Sequence, residues 1–429
     1  MAPPAPAEPL RLTPFERYML ADHDAGELMV FELVLVFGGR VERAPLRAAL
    51  LRAMGRHPLL GSVVVEERGG PRWEPTAASP QLTWDPEPPP APLDVRRGPG
   101  LSARVEPGPE LTRLRVRFHH TASDGLGGFQ LLEDLLLAYH AEVTGQAVSL
   151  PPRAPEALRL RGEVSQRSRA PRGLRARWQA LDTAWRFVAR EPQRLTPRAG
   201  PDPVGYRLLD PLRLERGTVM ALRGAARAQE VSLNDLLLRD LLLALGATLP
   251  PVSAPLRVMV PADLRDERHT HMPAANTVSI EAVERGRAEL GDPAALLASV
   301  RRQTRGWREG DAGSLVRALP TALAVPGLLP AGLRRDYAYA TLVCSNVGTV
   351  FPALPLPQRD GRWCVGEAEL REVWGAPPVR RSTPAALGVI SYAGELFLCL
   401  GHDPRRLPAP AAAALLQSLE AALLRSAGG

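Results

Sequence analysis

Residues 111–143 constrain the fold more than any other stretch. In "LTRLRVRF" (111–118), Leu114, Val116 and Phe118 fall on one face and Arg113, Arg115 and Arg117 on the other. That period of two predicts a half-buried strand with one wet face. The next seven residues are "HHTASDG", and behind them "LGGFQLLEDLLLAYHAEV" has the length and apolar density of a buried helix. A strand that turns directly into such a helix must lay the helix on its own sheet, which is the signature of a layered α/β architecture.

The same alternation continues along the chain. "ELMVFELVLVF" (27–37) predicts a strand. "APLRAALLRAMGRHP" (44–58) carries Leu46, Leu50, Leu51 and Met54 at helical spacing, and Pro58 stops it. "GSVVVEE" (61–67) is β-branched and strand-like. Residues 85–100 form a proline-rich connection, and residues 150–205 are rich in Arg and Pro around one predicted helix at 174–190. A second set follows: helices over 214–229 and 232–247, strands over 255–260 and 277–283, and a helix over 292–306. Strands near 339–344 and 387–400 and a helix from 408 close the chain. Both halves mix strands and helices without strict alternation, so two layered domains are expected: 1–160, a linker or crossover over 161–205, and 206–429.

Composition narrows the function classes. The chain has 429 residues, enough for two cores, and its 53 basic residues are all arginine. They are dispersed, and aromatic residues make up only 5%. A surface that stacks bases interleaves aromatic and basic groups, so no nucleic-acid partner is expected. No apolar run reaches the length of a membrane span. The opening "MAPPAPAEPLRLTPFERY" lacks the charged start and apolar core of a signal peptide. It reads as a short disordered lead-in, and a cytoplasmic protein is expected. Cys344, Cys364 and Cys399 fall in no CxxC or zinc spacing and read as small buried apolar residues.

Several motifs fail on chemistry. "GPGLSA" (98–103) fits a loose dinucleotide pattern but follows no strand. A phosphate loop of the Walker type needs the lysine this chain lacks. In "TASDG", Thr121 stands where a nucleophile elbow needs glycine. "HTH" (269–271) has no acidic or cysteine partner at ligand spacing, so its histidines read as loop residues and no metal is expected.

"HHTASDG" (119–125) is different, because it leaves a strand and enters a helix, where rigid scaffolds carry chemistry. Acyl transfer to a hydroxyl or amine needs a base beside the acceptor. Histidine suits the task because its pKa lies near neutrality. Asp124 would lock the turn through a buried partner, for which arginine is the natural choice. The plain alternative is that Asp124 caps the following helix and the histidines pack beside it.

The string resembles the His-His-x-x-x-Asp-Gly motif of the chloramphenicol acetyltransferase-like superfamily. That superfamily includes nonribosomal peptide synthetase condensation domains, plant BAHD acyltransferases, polyketide-associated acyltransferases and wax ester synthase/diacylglycerol acyltransferases. Further strings are similar to the last two branches: "VSLNDLLLRDLLLAL" (231–245), "LRVMVPADLRDERHTHMPAANTVSI" (256–280), "CSNVG" (344–348) and the opening "LTPFERYMLADHD" (12–24). Two departures are visible. Of the Asp-Phe-Gly-Trp-Gly motif of the condensation and BAHD branches, "REVWG" keeps only Trp374 and Gly375, and Ala275 stands where a glycine usually precedes Asn276.

The resemblance implies two chloramphenicol acetyltransferase-like domains, each a mixed β-sheet with packed helices, set as a V-shaped pseudo-dimer with a tunnel between them. It implies His120 as catalytic base, His119 as its structural neighbour, and Asp124 as orienting carboxylate, facing away from the base and paired with Arg265. Gly125 would open the channel, and Asn276, Ser345 and Asn346 would line or brace it. The activity implied is acyl transfer from acyl-CoA or a phosphopantetheine thioester, on CoA or on an acyl carrier protein. The acceptor would be a small-molecule or lipid alcohol or amine, with O-acylation favoured. No permanently bound cofactor is expected, and the protein is expected to act as a monomer. Alternatives are a free-standing condensation domain and a non-catalytic binding member of the fold.

Overall fold

Thr13 and Glu16 cap each other at the start of the first helix. The Glu16 N–H donates to Thr13 Oγ1 (3.2 Å) and the Thr13 N–H to Glu16 Oε2 (2.8 Å). This is the reciprocal arrangement that satisfies two orphan helix donors. Glu16 is fully buried, where it takes Arg161 Nε at 2.7 Å and Trp73 Nε1 at 3.3 Å. The expected disordered lead-in is therefore corrected over residues 10–18. Leu12 is buried, Arg11 bridges to Arg72, and the helix begins at Pro14. The computed structural model describes residues 10–24, 28–163, 189–195, 208–324, 333, 337–380 and 382–428. The helix expected at 174–190 lies, apart from its last two residues, outside the described residues.

In chain order, the first half holds α1 (Pro14–Asp24), β1 (Val30–Gly38), α2 (Arg43–Met54), β2 (Ser62–Val65), β3 (Arg72–Pro75), β4 (Gln81–Trp84), β5 (Leu101–Pro107), β6 (Leu111–His119) and α3 (Gly125–Thr144). The second half begins with β7 (Leu208–Leu214), α4 (Arg216–Ala228), α5 (Leu233–Thr248), β8 (Leu256–Asp263), β9 (Val278–Arg285), α6 (Pro293–Gly306) and α7 (Ser314–Ala324). It ends with β10 (Leu342–Thr349), β11 (Gln358–Arg359), β12 (Arg362–Val365), β13 (Ala368–Ala376), β14 (Ala385–Tyr392), β15 (Glu395–His402) and α8 (Ala409–Gly428).

Among the described residues two large mixed sheets form, each with helices packed on it. The first has the order β11-β12-β13-β1-β6-β5-β4 and the second β7-β15-β14-β10-β8-β9. In the first, β6 turns Leu114, Val116 and Phe118 into the core under α3, and Arg115 pairs with Glu32 and Glu106 on the other face. In the second, β14 and β15 are antiparallel neighbours joined at Ala393 and Gly394, both with positive φ. That is the turn chemistry of a tight hairpin, so the expected strand over 387–400 resolves into two. The architecture is the two-unit mixed α/β arrangement that the resemblance implied.

The halves exchange pieces. β13 comes late in the chain yet pairs with β1 in the first sheet, Trp374 opposite Val34. It then hands the chain over to β14 in the second sheet. Where the two cross, a Cβ on Gly388 would strike the Gly375 carbonyl oxygen, so this backbone approach requires glycine. In return, the segment between β8 and β9 reaches the first unit, where Met272, Ala274 and Ala275 are buried in its core. Cys344 and Cys399 are buried, and burial pushes the Cys344 thiol up to about 12. Cys364 is only half-buried, which corrects its reading as a core residue.

Candidate active site

The turn between β6 and α3 is pinned from several sides. The His119 N–H donates to the Gly100 carbonyl (2.8 Å), the His120 N–H to the Met29 carbonyl (2.6 Å), and the Asp124 N–H to the Ala275 carbonyl (3.2 Å). Asp124 is the N-cap of α3, and its Oδ1 accepts from the Gly127 N–H at 2.8 Å. Its Oδ2 accepts from the Thr277 N–H at 2.9 Å. Arg265 grips the same carboxylate with two nitrogens, Nη1 to Oδ2 at 2.9 Å and Nη2 to Oδ1 at 3.0 Å. Helix cap and arginine partner are thus the same group in two roles. Burial alone would raise the Asp124 pKa. The guanidinium and the N–H donors outweigh it and hold the carboxyl below the usual carboxylate range.

None of the Asp124 bonds goes to the His120 ring. Its ring is half-buried, with the edge of Phe31 at 5.2 Å between centroids and Asn276 on the Nδ1 side. Asn276 Nδ2 donates to the His120 carbonyl at 2.7 Å and lies 3.2 Å from Nδ1. Nε2 has no hydrogen-bond partner among the described residues. Burial pushes the His120 pKa below its ordinary value, opposed by its own backbone carbonyl and by Asp124 and reinforced by Arg380. The ring is therefore neutral near pH 7 with one nitrogen available, which is the state a general base needs.

His119 is fully buried and its pKa falls well below the ordinary value, chiefly through desolvation. Its Nδ1 accepts from the Thr121 N–H at 3.2 Å, so the proton sits on Nε2. The His23 ring stands edge-on at 4.7 Å.

The glycines divide. A Cβ on Gly127 would meet the Ala275 backbone at 3.0 Å, and one on Gly128 would meet Leu33 and Phe31 at 3.2 Å. Both serve close helix packing. A Cβ on Gly125 would meet only Val347 of β10, at 3.2 Å, on the side of the second unit. Ser345 and Asn346 precede Val347 on that strand. Asn346 Nδ2 donates to Asn234 at the start of α5 (3.0 Å), and its Oδ1 accepts from the Gly348 N–H (2.9 Å). The structure therefore gathers His119, His120, Asp124, Gly125, Arg265 and Asn276 at one place. Asn346 ties β10 to α5, and Ser345 lies half-buried beside it.

Sequence reasoning assigned no role to Tyr18, Asp22 or Arg380. Arg380, in the turn between β13 and β14, donates through Nη1 to Asp22 Oδ2 (2.6 Å) and to the Tyr18 hydroxyl (3.2 Å), both on α1. All of this lies close enough for the Arg380 charge to act on His120. "LTPFERYMLADHD" contains both α1 residues, but nothing in it points to a partner 358 residues away. Beside Asn276 lies a small pocket walled by Phe15, Leu264, Thr277, Val278 and Val316. No group of three or more metal-ligating side chains occurs among the described residues. His269 of "HTH" bonds Asp266 at 2.9 Å instead. No helix among the described residues is long and apolar enough to cross a membrane.

No family model matches the chain. It is 28% identical over 332 residues to the uncharacterized protein Rv2305 of Mycobacterium tuberculosis, covering 73% of this chain and 72% of the relative. Solved structures share its fold along nearly its whole length. The trichothecene 15-O-acetyltransferase TRI3 of Fusarium sporotrichioides superposes with a TM-score of 0.73 at 12% identity, over 97% of this chain and 94% of the other. Polyketide synthase associated protein 5 of M. tuberculosis gives 0.65 at 18% identity over all of both chains. The starter condensation domain of rhizomide synthetase RzmA, solved with C8-CoA, gives 0.68 at 15% identity over 99% and 96%. The fold is thus that of the condensation-domain and chloramphenicol acetyltransferase-like proteins.

Proposed function

We propose that the protein is an acyltransferase that moves an acyl group from a thioester to a hydroxyl acceptor, with His120 as general base. The observation that carries this reading is the His120 ring: half-buried, uncharged near neutrality, with Nε2 unpartnered and Nδ1 facing its own carbonyl, which Asn276 holds. With the Nδ1 proton directed at the ring's own backbone carbonyl, Nε2 is the bare nitrogen and takes the acceptor proton as the acceptor oxygen attacks the thioester carbonyl. The tetrahedral intermediate collapses with cleavage of the carbon–sulfur bond. The imidazolium returns its proton to the departing sulfur, giving a free thiol and an ester. Amines would react in the same way, and no covalent enzyme intermediate is required.

The thioester would enter along a passage between the two units. A Cβ on Gly125 would meet Val347 of the second sheet, so the turn that carries His120 lies where the two units face each other, the place such a route needs. A CoA thioester is the favoured donor, since a protein of the same fold is known with C8-CoA bound. That neighbour is also a condensation domain, which favours one second reading, transfer from a carrier-protein thioester. The test is release of free thiol from a panel of acyl-CoAs and acyl carrier proteins, with alcohol and amine acceptors added in turn. Turnover with CoA thioesters and an alcohol is expected. Turnover only on carrier proteins would favour the second reading, and no acceptor-dependent release from either donor would remove both. In Gly125→Trp, the indole would have to displace Val347 and fill the passage. Turnover is expected to fall at least about a hundredfold with the fold retained, as read by thiol release and circular dichroism.

A further inference from the structure

We propose that Asn276 is the positioning residue of the His120 base: its amide, carried in from the second unit, holds the His120 backbone carbonyl against which the Nδ1 proton is directed, and so fixes the plane and tautomer of the imidazole, a task the Asp124 carboxylate does not perform. The inference rests on the reading of His120 as a base.

Asn276 is 1% exposed. Its orientation is set by the 2.7 Å contact of Nδ2 with the His120 carbonyl oxygen, because the exchanged amide would put oxygen against oxygen. The same carbonyl faces the His120 Nδ1 proton, so amide and ring converge on one oxygen, with Nδ2 and Nδ1 3.2 Å apart. Phe31 faces the ring from another element as an aromatic neighbour. Asp124 is occupied by Arg265, Gly127 and Thr277. Asn276 itself is fixed through its neighbours. The Ala274 N–H donates to His57 Nδ1 at 2.8 Å, the Ala275 carbonyl accepts from Asp124 and Arg265, and the Thr277 N–H donates to Asp124. A side chain held on both flanks can hold a ring in turn, which catalytic geometry requires.

Charge gives the inference a readout. The ionisable groups acting on His120 are Asp124 at the head of α3, Arg380 from the turn before β14 and the adjacent His119. Asn276 adds none. A carboxylate in its place, a few ångströms from Nδ1, favours the protonated ring, and such a neighbour typically raises a pKa by about 1–3 units.

The experiment is an NMR titration of His120 in 15N-histidine-labelled wild type, Asn276→Asp and Asn276→Leu, with pH–rate profiles of the same proteins. Asn276→Asp is expected to raise the His120 midpoint by about one unit or more and to move the acid limb of kcat/KM by the same amount. Asn276→Leu is expected to lower kcat about tenfold or more with KM within about twofold, since only orientation is lost. An unmoved His120 midpoint in Asn276→Asp, or wild-type kcat in folded Asn276→Leu, would overturn the proposal. If Asn276→Leu does not fold, Asn276→Asp decides alone. The titration needs no turnover. A shifted midpoint in a protein inactive on every thioester keeps the positioning role and sinks the acyltransferase reading.

Discussion

His57 and His120 sit in the same unit, and burial depresses the pKa of both. His57 has a partner on each nitrogen. Nε2 lies 3.1 Å from Asp134 Oδ2, and Nδ1 accepts from the Ala274 N–H at 2.8 Å. Arg56 and Arg153 close around the same carboxylate. The result is a strut from α2 and α3 to the segment that carries Asn276. His120 has one side held and one nitrogen free. What marks the reactive ring is an unspent nitrogen together with access: His119 also leaves Nε2 unpartnered but is fully buried, whereas His120 is half-buried. Asp124 bonds Arg265 and leaves His120 alone, whereas His57 bonds a carboxylate, Asp134, 77 residues away.

The largest expected effect on stability comes from breaking the carboxylate that does not touch the base. Asp124→Ala strands Arg265, which keeps Asp263 and the Ala275 carbonyl, and removes the α3 cap. A loss of about 3 kcal/mol is expected in denaturant unfolding. Breaking the strut is expected to cost less. His57→Ala leaves the Ala274 N–H without its acceptor and opens a cavity, worth about 2 kcal/mol. Activity should fall with it only as far as Asn276 is displaced. A smaller effect distinguishes the histidines from the acids. Burial lowers the folded-state pKa of His23, His57, His119 and His120. Below the ordinary value of 6.5 the unfolded chain therefore binds protons that the folded chain does not, and stability must fall as pH falls. The slope is about 1.4 kcal/mol per pH unit for each histidine fully protonated in the unfolded chain only. Between pH 6.5 and about 5 this loss belongs to the histidines, because Asp124 and Asp134 stay ionised there. Unfolding midpoints that stay level across this window would mean that these rings are protonated in the fold.

How far the sequence could be read follows from which contacts are local. β6, the turn and α3 are legible because period, cap and glycines lie within about thirty residues. Helices α4, α5 and α6 and strands β8, β9 and β10 fall close to their expected places for the same reason. β5 was missed because its "LSARVEP" follows a proline- and glycine-rich run and is too short to show a period. The exchange of β13 into the first sheet is not legible at all. Its register against β1 is set by residues more than 300 positions away, and "REVWG" says nothing of which sheet it joins. The same holds for Arg380 with Asp22. The Asn276–His120 contact was invisible for a different reason. Sequence places both residues in motifs, but which neighbour an amide touches depends on how the β8–β9 segment threads into the other unit.

The central claim is that His120 performs the proton transfer. The direct measurement is kcat/KM for thiol release by His120→Ala, on protein whose circular dichroism and unfolding midpoint match the wild type, with His57→Ala assayed beside it. Loss of a general base typically lowers turnover by about a hundred- to ten-thousandfold, and that drop is expected for His120→Ala at unchanged stability. His120→Ala turning over at the wild-type rate would contradict the account.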